Sequence, residues 1–406
     1  MTLPSRYGPA WVGWLSFGQL ISWGSVFYAF ALLLQPVEES LGLTRGEASL
    51  AFSLALLTEG LAAWQVGRWI DRGHERSVMT GGSLLLAAAL FAHSFVDSAA
   101  AFYAVWIALG AGLAATLYTP AFAIVTRRFP LDFRRAIITL TFLGGLASTV
   151  FIPLTASLVA QLGWRHALWV LAAIHLLVCA PLHAWLLRDA PAPTPKSTRT
   201  TTPDVDGQHT RPDLRAASHY LQSAPFLLIG VFIVLMMAVT VALPPHMVSL
   251  LRGAGLSEYW AVAIPASIGV MQVAGRLLLY FFERHFDAHL ANRLIPCLIP
   301  LALLVLLAGH GQVGAGLAFV LLWGLGNGML TIVKGTAIAE YVDRTHVATL
   351  NGALGPPSAI ARALAPLMLG LLWSEQRGYA VGLWVLLAAS VVGVLAFALA
   401  QRRSLT

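Results

Sequence analysis

The chain has 406 residues, 58% of them hydrophobic and 11% charged, with a mean hydropathy of +0.76 and a formal net charge of +7. A water-soluble chain carries about a quarter charged residues, so a soluble globular fold is excluded and a chain dissolved in a bilayer is the reading. The basic residues are scattered between apolar runs rather than gathered together, which sets nucleic acid aside and makes them topology signals.

Twelve apolar runs, each long enough to span a bilayer as a helix, follow one another along the chain. Run 1 (11–36) is too long for a signal peptide and lacks a small-residue cleavage site, so it is expected to persist as a helix. Run 2 (47–68) carries Glu59, the one acid near mid-span, and ends in the charged turn "GRWIDRGHER", Gly67 to Arg76. Run 3 spans 77–96. Run 4 (99–126) holds "GAGLAATLYTPA", and run 5 (136–162) holds "GGLAST". Run 6 (167–188) contains Cys179, His175 and His183, read as packing or interfacial residues. The longest polar stretch follows, from 188 to 218, rich in Pro, Thr and charge. It reads as a flexible linker.

Six more runs lie beyond it: 224–248, 258–282, 292–309, 313–339, 348–373 and 378–400. Run 8 contains "MQVAGRLLLYFF", in which Gln272 and Arg276 interrupt an apolar face. Run 10 holds "GLGNG" and Lys334, and run 11 holds "NGALGPPSAIARALAP" with Arg362. The glycine clusters lack the strand–turn–helix context of nucleotide loops and read as close helix packing. Pro356, Pro357 and Pro366 are candidate bends in a moving helix. Tryptophans near the run ends, such as Trp11, Trp164 and Trp373, suit an aromatic belt. The two cysteines, Cys179 and Cys297, are too few for a disulfide framework and read as buried thiols. No metal-ligand spacing stands out.

With the N-terminus placed in the cytoplasm, eighteen basic residues fall on the cytoplasmic side. Four fall outside, Arg45, Arg165, Arg252 and Arg377, and three lie within runs. This bias places both termini inside. The halves also resemble each other. "GAGLAATLYTPA" aligns with "GNGMLTIVKGTA" at an offset that also sets Arg128 on Arg344 and Tyr118 on Lys334. A repeated six-helix unit of parallel topology places its site near the midplane between the halves.

The turn "GRWIDRGHER" resembles the loop signature of the major facilitator superfamily, with Gly67, Asp71, Arg72 and Arg76 as its matching residues; Gly73 comes one residue early and Glu75 interrupts the basic end. The second-half counterpart, "FFERHFD", is degenerate, with Glu283-Arg284 at the Asp-Arg place. The resemblance covers nearly the whole chain through its 6+6 layout. It implies an all-α integral membrane protein of twelve transmembrane helices in two six-helix bundles, 1–187 and 223–406, joined by a cytoplasmic linker, 188–222. It also implies rocker-switch alternating access, with Asp71 meeting the positive end of a helix from the other half. The alternative is a charged turn that only enforces topology. The stretch 22–54 further resembles bacterial monocarboxylate and oxalate–formate type porters. That resemblance implies an arginine in helix 8 that holds a substrate carboxylate, an amide one turn earlier and a tyrosine in helix 4. Arg276, Gln272 and Tyr118 stand at those places, and Arg362 matches a second cation in helix 11. The helix 8 aspartate of the animal carriers has no counterpart here.

The residues point the same way without the resemblance. Arg276, Lys334 and Arg362 are three cations set against one acid, Glu59, which makes a cavity between the halves positive and suited to an anion. The alternative is that each cation snorkels from a helix end to water. Glu59 is the candidate proton carrier, since intramembrane carboxyls serve as proton relays; a structural partnership with a cation is its alternative. The expected function is secondary active transport of a small organic anion, a mono- or dicarboxylate, across a bacterial inner membrane. The expected partners are that substrate, protons and the lipid bilayer, with no nucleic acid and no cofactor, the chain acting as a monomer and not as an enzyme. Efflux of a larger amphiphile and a non-transporting sensor on the same fold are the competing readings.

The topology is open to a direct check. A reporter fused at residue 205 is expected to report cytoplasmic; an external signal would overturn the orientation.

Overall fold

The computed structural model describes residues 8–189, 220–282, 288–309, 311–343 and 347–404. Nearly all of the expected linker lies outside the described residues, as do Arg6, Glu283, Arg284 and Arg344. Among the described residues, ten segments are long and apolar enough to cross a bilayer. One of them, Arg135–Leu186, turns back at Gly163 and makes two passes, and Glu75–His93 adds one more. The twelve passes are α1 (Pro9–Leu41), α2 (Arg45–Asp71), α3 (Glu75–His93), α4 (Ala99–Arg128), α5 (133–162) and α6 (164–186), then α7 (Ala224–Gly253), α8 (Glu258–Phe282), α9 (288–308), α10 (Val313–Tyr341), α11 (Val347–Leu371) and α12 (Ala380–Ser404). Among the described residues the only strand-like pairing is a single bridge between Ser374 and Gly378.

Local chemistry sets the turns between passes. Thr44 opens α2 with a capping box: its hydroxyl accepts from Glu47 N at 3.3 Å, and Glu47 Oε2 accepts from Thr44 N at 2.8 Å. The α2–α3 turn needs a left-handed residue, and Gly73 supplies it at φ +88°. Gly163, at φ +77°, reverses the chain between α5 and α6.

Buried side chains of α7–α12 form one core around Phe232, Phe319, Trp323 and Phe397. Those of α1–α6 form others, with Phe30, Phe52 and Trp106 in edge and tilted contact. The outer surface is equally apolar. Leu61 is 73% exposed, Trp64 69% and Leu177 71%, a surface that only lipid would cover favourably. Cys179 is buried, Cys297 is half-buried, and both are free.

The glycine clusters let backbones touch. An added methyl at Gly110 would run into the Ala55 carbonyl of α2, and one at Gly328 into the Gln272 carbonyl of α8. Two seams join the first six helices to the second six. Along α5–α8, Thr149 Oγ1 donates to Ala266 O at 2.6 Å, and a methyl at Gly269 would strike Gly145, Ser148 and Thr149. Along α2–α11, Gly370 packs on Ser49 and Gly46 on Leu371. A cavity lies between the seams.

The two halves differ at their fourth helices. α4 breaks at Leu117, where ψ is −163°, because Pro120 has no N–H and its ring conflicts with the carbonyl four residues back, on Thr116. The repeat position of Pro120 is Thr336, and α10 runs unbroken from Val313 to Tyr341.

Candidate functional site

Two breaks in regular helix border the cavity. In α1 the residues Trp23–Tyr28 form a π-helical turn, a form that recurs at functional sites. This turn presents Trp23, Phe27 and Tyr28 to the cavity. The break in α4 starts its second segment at Tyr118, on the cavity wall. A broken helix at this depth must have its freed polar groups satisfied, and buried Gln19 does so: its Nε2 donates to Thr116 O at 2.5 Å. Tyr118 packs against Trp23 at 5.1 Å and stacks on Phe122 at 5.2 Å.

The cavity has a volume of about 340 Å³. Gln272, Arg276, Tyr118, Lys334, Arg362 and Glu59, each singled out from the sequence, all line it. Close packing of α8 on α10 through Gly275, Gly324 and Gly328 sets Gln272 and Arg276 beside the polar face of α10. That face carries Asn327, Thr331 and Lys334. Asn327 and Thr331 were not anticipated, although their spacing of four and then three residues before Lys334 marks one helical stripe.

The three cations meet different fates. Arg362 forms a two-pronged ion pair with Glu59: Nη1 to Oε1 is 3.1 Å and Nη2 to Oε2 is 2.7 Å. The pair joins α11 to α2 across the halves, so Arg362 reaches the cavity with its charge already met. Arg276 donates from Nη1 to the backbone carbonyl of Thr141 on α5, at 2.6 Å, and faces no carboxylate among the described residues. Lys334 lines the same cavity and has no ion pair or hydrogen bond among the described residues. Among the described residues, two basic side chains therefore line the cavity without a carboxylate.

The end of the bundle away from the termini is latched across the halves. Arg45 pairs with Glu38 at 2.5 Å and donates to Tyr379 Oη at 2.6 Å. His246 bridges onward, with Nδ1 3.1 Å from Tyr379 Oη and Nε2 2.9 Å from Pro366 O. The Nε2–H tautomer donates to the carbonyl and leaves Nδ1 to accept from the phenol. Arg252 reaches Gln35 at 3.4 Å while paired with Glu258. Arg45 and Arg252, minor exceptions in the charge count, thus serve as cross-half contacts.

At the basic end lies the loop "GRWIDRGHER". Gly67 sits on α2 with open space beside it. Asp71, Arg72 and Arg76 are exposed, and no ion pair of theirs is seen among the described residues. The loop's buried member is Glu75, fully enclosed. It accepts from Arg128 Nε at 2.8 Å and Nη2 at 2.6 Å, with Arg127 at 3.6 Å. Arg127 also donates to the carbonyl of Ile70, and Arg128 lies over Trp11 at 4.7 Å. This cluster ties α1, α2, α3 and α4 together within one half.

With this geometry in view, comparison with known proteins gives a consistent result. The family model for the Major Facilitator Superfamily matches residues 15–366. Among solved structures, a point mutant of the nucleoside transporter NupG aligns with TM-score 0.75 at 14% identity, covering 97% of this chain and 99% of that one. A bacterial homolog of the human lysosomal transporter Spinster, inward-facing and unoccupied, aligns with TM-score 0.73 at 16% identity over 99% and 98% of the two chains. The POT family transporter PepTSo aligns with TM-score 0.70 at 12% identity over 98% and 99%. At these identities the likeness is one of fold. No curated protein matches the chain in sequence.

The far-end latch makes a testable demand. Tyr379→Phe removes the hydroxyl that links Arg45 to His246 and leaves buried groups short of a partner, a loss of about 1–2 kcal/mol or roughly 5- to 30-fold in an equilibrium. Spin labels at the far ends of α1 and α7 should show a new, longer distance in the variant. An unchanged distance distribution would mean that this network does not hold the far end closed.

Proposed function

Because the chain belongs to the Major Facilitator Superfamily, we propose that it is a secondary active transporter that carries a small organic anion, a mono- or dicarboxylate, across a bacterial inner membrane by alternating access. The basic end faces the cytoplasm. The observation that carries the reading is the charge imbalance in the cavity: Arg276 and Lys334 line it unmatched by any described carboxylate, whereas Arg362 is matched by Glu59. An unmatched cation at this depth is costly, and an anionic ligand relieves that cost.

Arginine keeps its charge and offers a planar fork that fits a carboxylate. Gln272, one turn earlier on α8, and Tyr118, on α4, supply further donors to the same anion. Lys334 supports the charge and takes a second carboxylate if one is present. Binding also bears on the halves. Arg276 holds the Thr141 carbonyl of α5, so an anion that draws the guanidinium away loosens one contact across the α5–α8 seam. The Glu59–Arg362 fork is the matching contact at α2–α11: a proton taken up by Glu59 cancels the carboxylate charge, leaves Arg362 unmatched and loosens the tie between the two helices. Asp71, exposed in the present arrangement, is left to meet a helix N-terminus of the other half when the basic end closes.

Two experiments test this account. Arg276→Ala should lower carboxylate affinity by about 2–5 kcal/mol, roughly 30- to several-thousand-fold. Arg276→Lys should also weaken it, since charge remains but the fork is lost. Equilibrium binding of a carboxylate panel to purified protein measures both. Affinity equal to that of the parent in Arg276→Ala would end the assignment of Arg276. For coupling, Glu59→Gln should abolish accumulation driven by a pH gradient while counterflow exchange continues in proteoliposomes. Gradient-driven uptake that survives the substitution removes Glu59 as the proton carrier.

A further inference from the structure

A second cavity of about 520 Å³ adjoins the first. The two share Tyr118, Arg276 and Thr331. Beyond those three and Thr141, the wall of the second is wholly apolar, with Phe122, Ile137, Phe142, Leu277, Phe281 and Ile332 among its members. It lies on the basic-end side of Arg276, between α4 and α5 of one half and α8 and α10 of the other. Leu277 is 36% exposed and Phe281 60%, so the chamber opens along the gap between α5 and α8.

From this geometry we infer that the transported anion is amphiphilic: its carboxylate sits on Arg276 and its apolar tail lies in the chamber between α4, α5, α8 and α10. The inference rests on the anion reading above and narrows it to medium-chain alkyl or aryl carboxylates. Two observations select this occupant. A permanent cation stands at the rim of an otherwise apolar space, with a single backbone carbonyl as its described partner, so the space is complementary to a molecule with one negative end. The chamber is also continuous with the polar cavity through that same arginine, so head and tail can be held at once.

The test uses the full-length protein in phosphatidylcholine nanodiscs and a series of unbranched carboxylates from two to twelve carbons, with the matching alcohols as controls. Affinity should rise roughly three- to four-fold for each added methylene, the fold-change equivalent to burying one CH₂, and then level off as the chamber fills. The rise should be absent in Arg276→Ala. Ile332→Trp, and independently Ile137→Trp on the opposite wall, should shorten the chain length at which affinity levels off while leaving the two- and three-carbon acids unaffected. Short acids that bind with no gain from length would overturn this inference and leave the anion reading standing. A gain that persists in Arg276→Ala, or that the alcohols match, reflects partition of a chain into an apolar space and also overturns it. Failure of every carboxylate to bind would bring down the anion reading and this one together.

Discussion

A guanidinium on an apolar membrane-spanning helix cannot give up its charge, and the cavity of this molecule is arranged around that constraint. Three cations and one carboxylate line the central cavity. Once Glu59 takes Arg362 in a two-pronged pair, the remaining charges are no longer equivalent. Arg362 becomes a strut between α2 and α11. Arg276 and Lys334 become the source of the cavity's positive potential. Replacing the carboxylate would strand a third cation, and breaking a buried pair by removing one partner costs about 3–5 kcal/mol. The fork is therefore a structural tie across the halves and, in the proposed reading, the feature that leaves the anion to Arg276.

The backbone serves the same end by departing from regular helix where side chains must converge. The π turn in α1 brings Trp23, Phe27 and Tyr28 inward. The Pro120 break in α4 brings Tyr118 inward, at the cost of a freed carbonyl that Gln19 caps. Elsewhere glycine removes bulk instead of bending the chain, and α8 meets α10 closely enough for Gln272, Arg276 and Lys334 to share one space. Close backbone contact along α5–α8 and α2–α11, with polar bonds at mid-depth and a latch at the far end, suits two halves that rock on their seams.

Much of this was legible in the residues. Hydropathy reveals spanning helices because a bilayer imposes one length and one polarity on each of them, and five of the six candidate residues of the cavity stood out because charge or amide within an apolar run is costly; Tyr118 was marked only by the resemblance and by its repeat position. Other features depend on neighbours distant in the chain and left little local trace. Glu75 looked like an interruption of a basic motif, yet it is the buried acceptor for Arg127 and Arg128, more than fifty residues away. Arg45 and Arg252 looked like stray external charges, but Tyr379 and Gln35 give them roles across the halves. The pairing of Arg362 with Glu59 spans 303 positions. The Asn327–Thr331–Lys334 stripe could have been read from its helical spacing, because Asn and Thr are polar enough to mark a cavity face, though they are mild enough to pass as packing residues.

The central claim is that the unmatched cations Arg276 and Lys334 hold the anion while Arg362 stays with Glu59. Anomalous diffraction from crystals grown with a brominated carboxylate tests it most directly, because the bromine peak marks the ligand without reliance on weak density. The account predicts a peak beside Arg276 in the central cavity, with the Glu59–Arg362 fork intact. A peak at Arg362 with the fork opened, or one remote from all three cations, would contradict it.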